Sequence, residues 1–149
     1  NKNVISKLRK SKKRPHKPFA ILYPSLSLLE SHLTLNNSQK KALESTERPI
    51  VILQKKDFKG DLDFAELIPG LNQIGVMLPY SGILQLLAEE LKVPIVATSG
   101  NLHGSPILSD NRQAEKILSG IADYFVHHDL EITNPQDDSV VKFSLKYQQ

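Results

Sequence analysis

The chain has 149 residues, of which 40% are apolar and 23% charged, values ordinary for one soluble globular domain with a real core. It has no cysteine, which excludes disulfides and thiolate metal sites, and no apolar run near the roughly 20 residues that a membrane span needs. No signal peptide is visible in the given sequence, and we expect a cytoplasmic protein. The net charge of +3 is uneven, because residues 1–17 carry +8 and residues 18–149 carry −5. This asymmetry predicts an anionic partner for the N-terminal end: a nucleotide, a phosphate or an RNA backbone.

The first predicted element is a helix over residues 3–13 that ends in a basic segment. Pro15 and Pro18 stop the helix and force extended backbone, so Arg14 and Lys17 lie on a stiff segment. A planar guanidinium suits bidentate binding of phosphate, and a lysine adds point charge. An anion site and a solvated basic tail both remain open as interpretations.

The middle of the chain alternates short strands with helices. The helix after Ser81 carries an apolar stripe of Ile83, Leu84, Leu87 and Leu91. The other predictions are strands at 19–22, 50–53 and 73–78, a helix capped by Ser25 or Ser27 and ending at Leu33, a helix capped by Ser38 and ending at Leu43, a polar loop at 57–63 and a turn at Pro69-Gly70.

The stretch at 94–106 is the most informative part of the sequence. Its apolar run at 95–97 fits a strand buried on both faces. Thr98, Ser99 and Asn101 follow at the end of this strand, with a glycine among them, and strand ends of this kind commonly bind ligands in α/β sheets. Short polar side chains also dominate ordinary turns, which is the competing interpretation.

The last third of the chain completes a mixed pattern of strands and helices. The order of elements predicts an α/β (α+β) fold, a twisted mixed sheet with flanking helices. The predicted elements are a helix capped by Asp110 or Asn111 and ending at Leu118, and strands at 121–127 and 139–143.

Several common chemistries find little support in the sequence. No phosphate-binding P-loop or dinucleotide fingerprint is present, and Ser99 has no local base that would make it a nucleophile. The histidine pair and aspartate at 127–129 lack a second ligand cluster. The acidic pair at 137–138 before Ser139 is either a turn or a ligand for Mg²⁺ bridged to phosphates. What remains is a site that acts by positioning and charge stabilisation, as in phosphoryl and nucleotidyl transfer.

The sequence resembles the Sua5/YciO/YrdC-type domain, and most closely its version in hydrogenase-maturation carbamoyltransferases of the HypF type. The resemblance runs nearly end to end, with six motifs in order at compatible spacings. It implies a YrdC/RibB-like fold with a large basic concave surface, and a single YrdC-like domain over 1–149 that lacks the family's N-terminal strand and turn. The motifs are Leu8-Arg9, the run from Lys12 to Ala20, Arg48-Pro49-Ile50-Val51, the run from Gly75 to Tyr80, Thr98-Ser99-Gly100-Asn101, and Asp137-Asp138-Ser139-Val140-Val141.

The resemblance also implies an activity. Such domains use ATP, with Mg²⁺, and a carbamoyl-type small acid to form a carbamoyl-adenylate, one step of carbamoyl transfer to a partner protein in nickel–iron hydrogenase maturation. The alternatives are threonylcarbamoyl-adenylate formation for tRNA adenosine modification, and a non-catalytic RNA-binding module.

The family's Lys-x-Arg and Ser-x-Asn motifs match two short stretches of this chain, and we expect Arg14 and Asn101 to face each other across one shared cavity. The residues that the resemblance assigns to nucleotide and phosphate binding are Lys12, Arg14, Lys17, Thr98, Ser99, Asn101 and Ser139.

Overall fold

A computed structural model describes residues 2–56 and 58–144. It confirms the predicted fold class, a mixed α/β arrangement with one open five-stranded sheet. The elements in chain order are α1 (Lys2–Ser11), β1 (Ala20–Leu22), α2 (Leu26–His32), α3 (Asn37–Glu44), β2 (Ile50–Gln54), α4 (Phe64–Leu67), β3 (Gln73–Met77), α5 (Gly82–Leu91), β4 (Ile95–Ala97), α6 (Asn111–Leu118) and β5 (Val140–Lys142).

The chain divides into two compact units. The first unit comprises Asn1–Lys17 and Thr98–Asp137, and the second comprises Pro18–Ala97 and Asp138–Gln149. Helices α1 and α6 belong to the first unit, whereas every strand and the helices α2 to α5 belong to the second.

The sheet of the second unit has the order β4-β1-β3-β2-β5. The pairs β1–β3 and β2–β5 are parallel, while β1–β4 and β2–β3 are antiparallel. Ile21 and Val51 both lie opposite Val76, so the three side chains share one sheet face, and all three are buried. Leu22 and Met77 also lie opposite each other and are buried on the other face, so the neighbouring strands β1 and β3 have buried side chains on both faces.

The core also contains aromatic side chains from the segments that flank the strands. Tyr23 is fully buried, lies 3.2 Å from His32 Nδ1 through its hydroxyl oxygen, and has a pKa that burial raises to about 12. The ring of His32 in turn meets Phe58 edge to face, and Phe58 meets Phe64 in the same way. No helix in the described part of the chain is long and apolar enough to cross a membrane.

Helix starts follow the predicted caps with one exception. Helix α3 begins at Asn36 rather than Ser38, because Asn36 and Gln39 form a reciprocal capping box in which each side chain accepts from the other's backbone N–H at 2.9 Å. The predicted caps whose side chains accept a backbone N–H of the first turn are Ser25 for α2, Ser81 for α5 and Asp110 for α6.

Strand β4 differs from the prediction of a strand buried on both faces. It lies at one edge of the sheet, pairs with β1 as its neighbour, and all three of its residues are half-buried. An apolar run of three residues does not reveal whether the strand is central or at an edge, because that depends on distant parts of the chain.

The predicted strand over 121–127 is wrong, whereas the one over 139–143 is confirmed by β5. The backbone N–H groups of Ile121 and Ala122 donate to the carbonyl of Leu118 and extend the end of α6. The residues that follow, up to 139, form no strand within the described chain.

Candidate functional site

The basic segment begins where α1 ends in a Schellman motif. The Arg14 N–H donates to the carbonyl of Arg9 and the Lys13 N–H donates to that of Lys10, both at 3.0 Å. Lys13 takes the left-handed conformation that this motif requires, with φ of 51°. The chain therefore turns sharply immediately before Arg14.

Arg9 holds the segment after this turn. Its side chain is buried, and its Nη1 donates to the carbonyls of Arg14 at 2.6 Å and Lys17 at 2.9 Å. A guanidinium bound to several carbonyls fixes the backbone path more firmly than one contact does. The segment is therefore stiffened both by Pro15, as predicted, and by the side chain of Arg9, for which the sequence predicts no specific role.

Lys12 is a buried cation in contact with the polar loop after β4. Its side chain is 3% exposed, and its Nζ donates to the Ser99 carbonyl at 2.5 Å. Burial lowers the pKa of Lys12 from its ordinary value of 10.5, and the neighbouring cations Arg14 and Lys17 lower it further. The fold therefore holds positive charge here at a cost that a bound anion would relieve.

Arg14 contacts the same loop through its side chain. Its Nη1 donates to Thr98 Oγ1 at 3.2 Å, and burial, followed by the charge of Arg9, lowers its pKa. The loop is ordered by its own hydrogen bonds: Ser99 Oγ donates to Asn101 Oδ1 at 2.8 Å, and Asn101 Nδ2 donates to the Ser105 carbonyl at 2.7 Å.

These residues enclose a polar cavity of about 180 Å³ within the first unit. Because Arg14 and Asn101 both line it, the expectation that they share one cavity is confirmed. A volume of this size is below that of pockets which enclose whole drug-sized ligands, and it suits a phosphate group. The lining residues are Lys12, Arg14, Lys17, Ser99, Asn101, His103, Gly104, Ser105 and Asp137.

Two of the predicted binding residues do not line this cavity. Thr98 stands beside it as the acceptor for Arg14. Ser139 belongs to the second unit, where its carbonyl accepts from the Ile50 N–H at 2.8 Å as β5 begins. The nucleotide-binding role of all seven residues stays a prediction.

The sequence predictions give two of the lining side chains, His103 and Ser105, no role in binding. His103 and Ser105 lie in the stretch at 94–106, but neither belongs to the Ser-x-Asn motif. Asp137 is predicted above to be either a turn residue or a ligand for Mg²⁺ bridged to phosphates, and it lines the cavity. The signal for His103 and Ser105 is their closeness in sequence to the Ser-x-Asn motif, and closeness in sequence does not show which side chains line the cavity.

The cavity presents three cations and one carboxylate among its described lining residues. Lys12, Arg14 and Lys17 supply positive charge, and Asp137 contributes the carboxylate. The hydroxyl of Ser99 and the amide of Asn101 are neutral donors that can form hydrogen bonds to phosphate oxygens. The arrangement is suited to hold a phosphate chain and to stabilise negative charge that develops on it.

The histidine pair at 127–128 forms hydrogen bonds with residues of α6. His127 Nε2 lies 2.8 Å from Glu115 Oε1 on α6, and Asn111 Nδ2 donates to the His128 carbonyl at 3.3 Å. Among the described residues, no group of three or more His, Cys, Asp and Glu side chains is arranged to hold a metal ion.

Comparison with known proteins identifies the family. The model of the Sua5/YciO/YrdC family, described as "Telomere recombination", matches residues 1–149. The chain belongs to the Sua5/YciO/YrdC family. The resemblance found in the six motifs is thereby confirmed.

The YrdC-like chain is similar in sequence to HypF proteins. It is 44% identical over 139 residues to the carbamoyltransferase HypF of Synechocystis sp., a match that covers 93% of the chain and 18% of that protein. The chain therefore spans about a fifth of the length of such relatives.

Solved structures of HypF and Sua5 proteins are similar to this chain in fold. A full-length HypF, determined in a phosphate- and nucleotide-bound form, superposes with a TM-score of 0.88 at 38% identity, covering 96% of the chain and 22% of that protein. Sua5 of P. abyssi superposes with a TM-score of 0.76 at 20% identity over 95% of the chain and 41% of that protein, which supports the YrdC-like fold alone.

Proposed function

We propose that this YrdC-like domain binds the phosphates of ATP in the cationic cavity and forms a carbamoyl-adenylate, one step of carbamoyl transfer in nickel–iron hydrogenase maturation. The observation that carries the proposal is the convergence of Lys12, Arg14, Lys17 and Asn101 on one cavity. Support comes from the HypF relatives, one of which has been solved with phosphate and nucleotide bound.

The proposed reaction transfers an adenylyl group to a carbamate. A carboxylate oxygen of the carbamate attacks the α-phosphorus, the bond from that phosphorus to the oxygen bridging to the β-phosphate breaks, and pyrophosphate leaves with the bonding electrons. Lys12 and Arg14 neutralise charge on the phosphates, and Asn101 orients them by hydrogen bonding. Catalysis of this kind needs positioning and electrostatic stabilisation rather than a protein nucleophile.

Magnesium fits the proposed site through Asp137. Mg²⁺ at phosphates is commonly held by one or two carboxylates together with phosphate oxygens. Asp137 is the carboxylate among the described cavity residues and would hold the ion beside the phosphate chain. When bound, the ion would neutralise part of the phosphate charge.

The steps after adenylate formation involve more protein than these 149 residues. HypF relatives are about five times longer, so we assign passage of the carbamoyl group to the remainder of such a protein and then to a partner protein. This division of labour is part of the proposal.

The test uses the full-length product of the gene and three substitutions. Arg14→Ala and Asn101→Ala each remove one cavity group, and each should weaken ATP binding by about 1–3 kcal/mol with an almost unchanged melting temperature. Lys10→Ala is the control, because it removes the same charge as Arg14→Ala from a residue outside the cavity. Hydrolysis of added carbamoyl phosphate to carbamate and phosphate supplies the carbamate, and background levels of ATP–pyrophosphate exchange in its presence would refute the proposed activity.

The alternatives give different results in the same experiments. AMP formation that depends on threonine and bicarbonate would select the tRNA-modifying reaction instead. RNA binding that persists in Arg14→Ala and Asn101→Ala, and whose affinity falls steeply with salt, would favour a binding module that uses the exposed lysines of α1.

A further inference from the structure

Helix α5 of the second unit turns most of its large apolar side chains outward. Ala88 is buried and Leu84 half-buried, but Ile83, Leu86 and Leu87 are 58%, 64% and 42% exposed. The apolar stripe predicted for this helix is therefore present, yet most of it does not contact the core.

The exposed residues form one continuous surface on the helix. At 100° per residue, the apolar positions of α5 fill an arc of about 200°, and only the part around Leu84 and Ala88 is shielded from solvent. Gln85 and Glu89 occupy the opposite side, where Gln85 Nε2 donates to Glu89 Oε1 at 2.8 Å. A helix in contact with water on its whole outer side would carry polar residues over most of that side.

Other helices of the same unit each turn a leucine fully into the core, and the remaining leucines of α2, Leu26 and Leu28, are half-buried. Leu29 of α2 and Leu43 of α3 are 0% exposed. The exposure of several large apolar side chains thus distinguishes α5 from α2 and α3, and Val93, two residues after the end of α5, is also 53% exposed.

We propose that the α5 face, defined as Ile83, Leu86, Leu87, Leu91 and Val93, is the surface on which another domain of the same, longer polypeptide packs. The HypF relatives continue for about four-fifths of their length outside the part that matches this chain. A face inside a longer chain is covered without the entropy cost of bringing two molecules together, which favours this occupant over a second copy.

The chemistry of the face indicates what covers it. Contiguous exposed apolar surface of this kind marks an interaction site. Glu90 lies between Leu86 and Ile83 on the helix surface, and no ion pair to it is found among the described residues. The covering domain is accordingly expected to present an apolar surface with a lysine or arginine opposite Glu90.

Site-specific photo-cross-linking in the purified full-length gene product tests the proposal. With p-benzoylphenylalanine in place of Leu86, irradiation should give a product of monomer mass, cross-linked to a residue outside 1–149. The same group in place of Gln85 is the matched control, one residue away on the opposite side, and should cross-link at least fivefold less.

Three outcomes would overturn the proposal. They are a gene product that consists of these 149 residues alone, a covalent dimer as the main product from position 86, and equal yields from positions 85 and 86. A readout that does not depend on the cross-linker comes from Leu86→Lys with Leu87→Lys, which should speed proteolysis between domains, whereas Gln85→Lys should not. Unchanged proteolysis in the double variant would also count against the packed face.

Discussion

At the residue scale, Lys12 shows how one side chain links burial to binding. Its burial is the reason that its pKa is lowered, and the cations Arg14 and Lys17 act in the same direction. A protonated Lys12 attracts a phosphate, so anion affinity should fall as pH rises through this lowered pKa. The free energy of unfolding should change in the opposite sense: above the lowered pKa the unfolded state holds more protons, and stability rises with pH until 10.5.

A comparison with Lys12→Arg isolates this effect. Arginine keeps its charge throughout the alkaline range, so pyrophosphate affinity measured by titration calorimetry should fall more steeply with rising pH below 10.5 in the natural protein than in the variant. Equal slopes in the two proteins would show that a group other than Lys12 controls the pH dependence.

The binding residues were predictable only as far as their motifs extended. Lys12, Arg14, Ser99 and Asn101 lie in short stretches whose pattern and family resemblance pointed to phosphate. Arg9 and Asp137 also lie in matched motifs, but the carbonyl contacts of Arg9 and the cavity position of Asp137 were not predictable, because they depend on which backbone carbonyls and which loops meet after folding.

At the scale of elements, Gly75 shows a close approach between strands. A Cβ at this position of β3 would lie 2.9 Å from Ile50 Cγ2, closer than a normal contact, and 3.6 Å from Ile52 Cδ1. Ile50 is β-branched and cannot turn its Cγ2 away freely. Gly75→Ala should therefore lower the free energy of unfolding by about 1–3 kcal/mol in urea denaturation.

A double-mutant cycle tests the assigned contact. Ile50→Ala removes the clashing methyl, so Gly75→Ala should cost less in that background than in the natural protein. If the cost is the same in both backgrounds, the loss comes from backbone effects rather than from the contact with Ile50.

The elements divide into those set locally and those set by distant neighbours. Caps and apolar periodicity lie within a few residues, and they correctly placed most helices and the strands β1, β2 and β3. The exception at α3 arose because Asn36 has Gln39 at the spacing of a capping box and Ser38 lacks such a partner. The edge position of β4 and the missing strand at 121–127 depend on pairing with remote segments, which local patterns do not encode.

At the scale of the whole molecule, the core and the candidate site lie in different units. Ile5 is the buried apolar side chain of the first unit, whereas all other buried apolar side chains of the described residues belong to the second. The first unit is held instead by contacts such as those of Arg9 and Lys12 with backbone carbonyls. Stability from apolar burial is therefore concentrated in the second unit, which contains none of the described residues that line the cavity.

This distribution predicts how hydrogen exchange responds to a ligand. Segments with few buried apolar contacts open at a lower free-energy cost, so the amides of α1 and α6 should exchange faster than those of β1 and β3 in the full-length gene product. Inorganic pyrophosphate that binds the cavity stabilises the closed form of the first unit, so it should slow exchange in α1 and in the loop at 98–105. Mass spectrometry of exchanged peptides with and without pyrophosphate measures both effects, and Arg14→Ala should remove the second while leaving the first. Equal slowing in β1 and β3, or slowing that survives in Arg14→Ala, would show that the anion does not act through the cavity of the first unit.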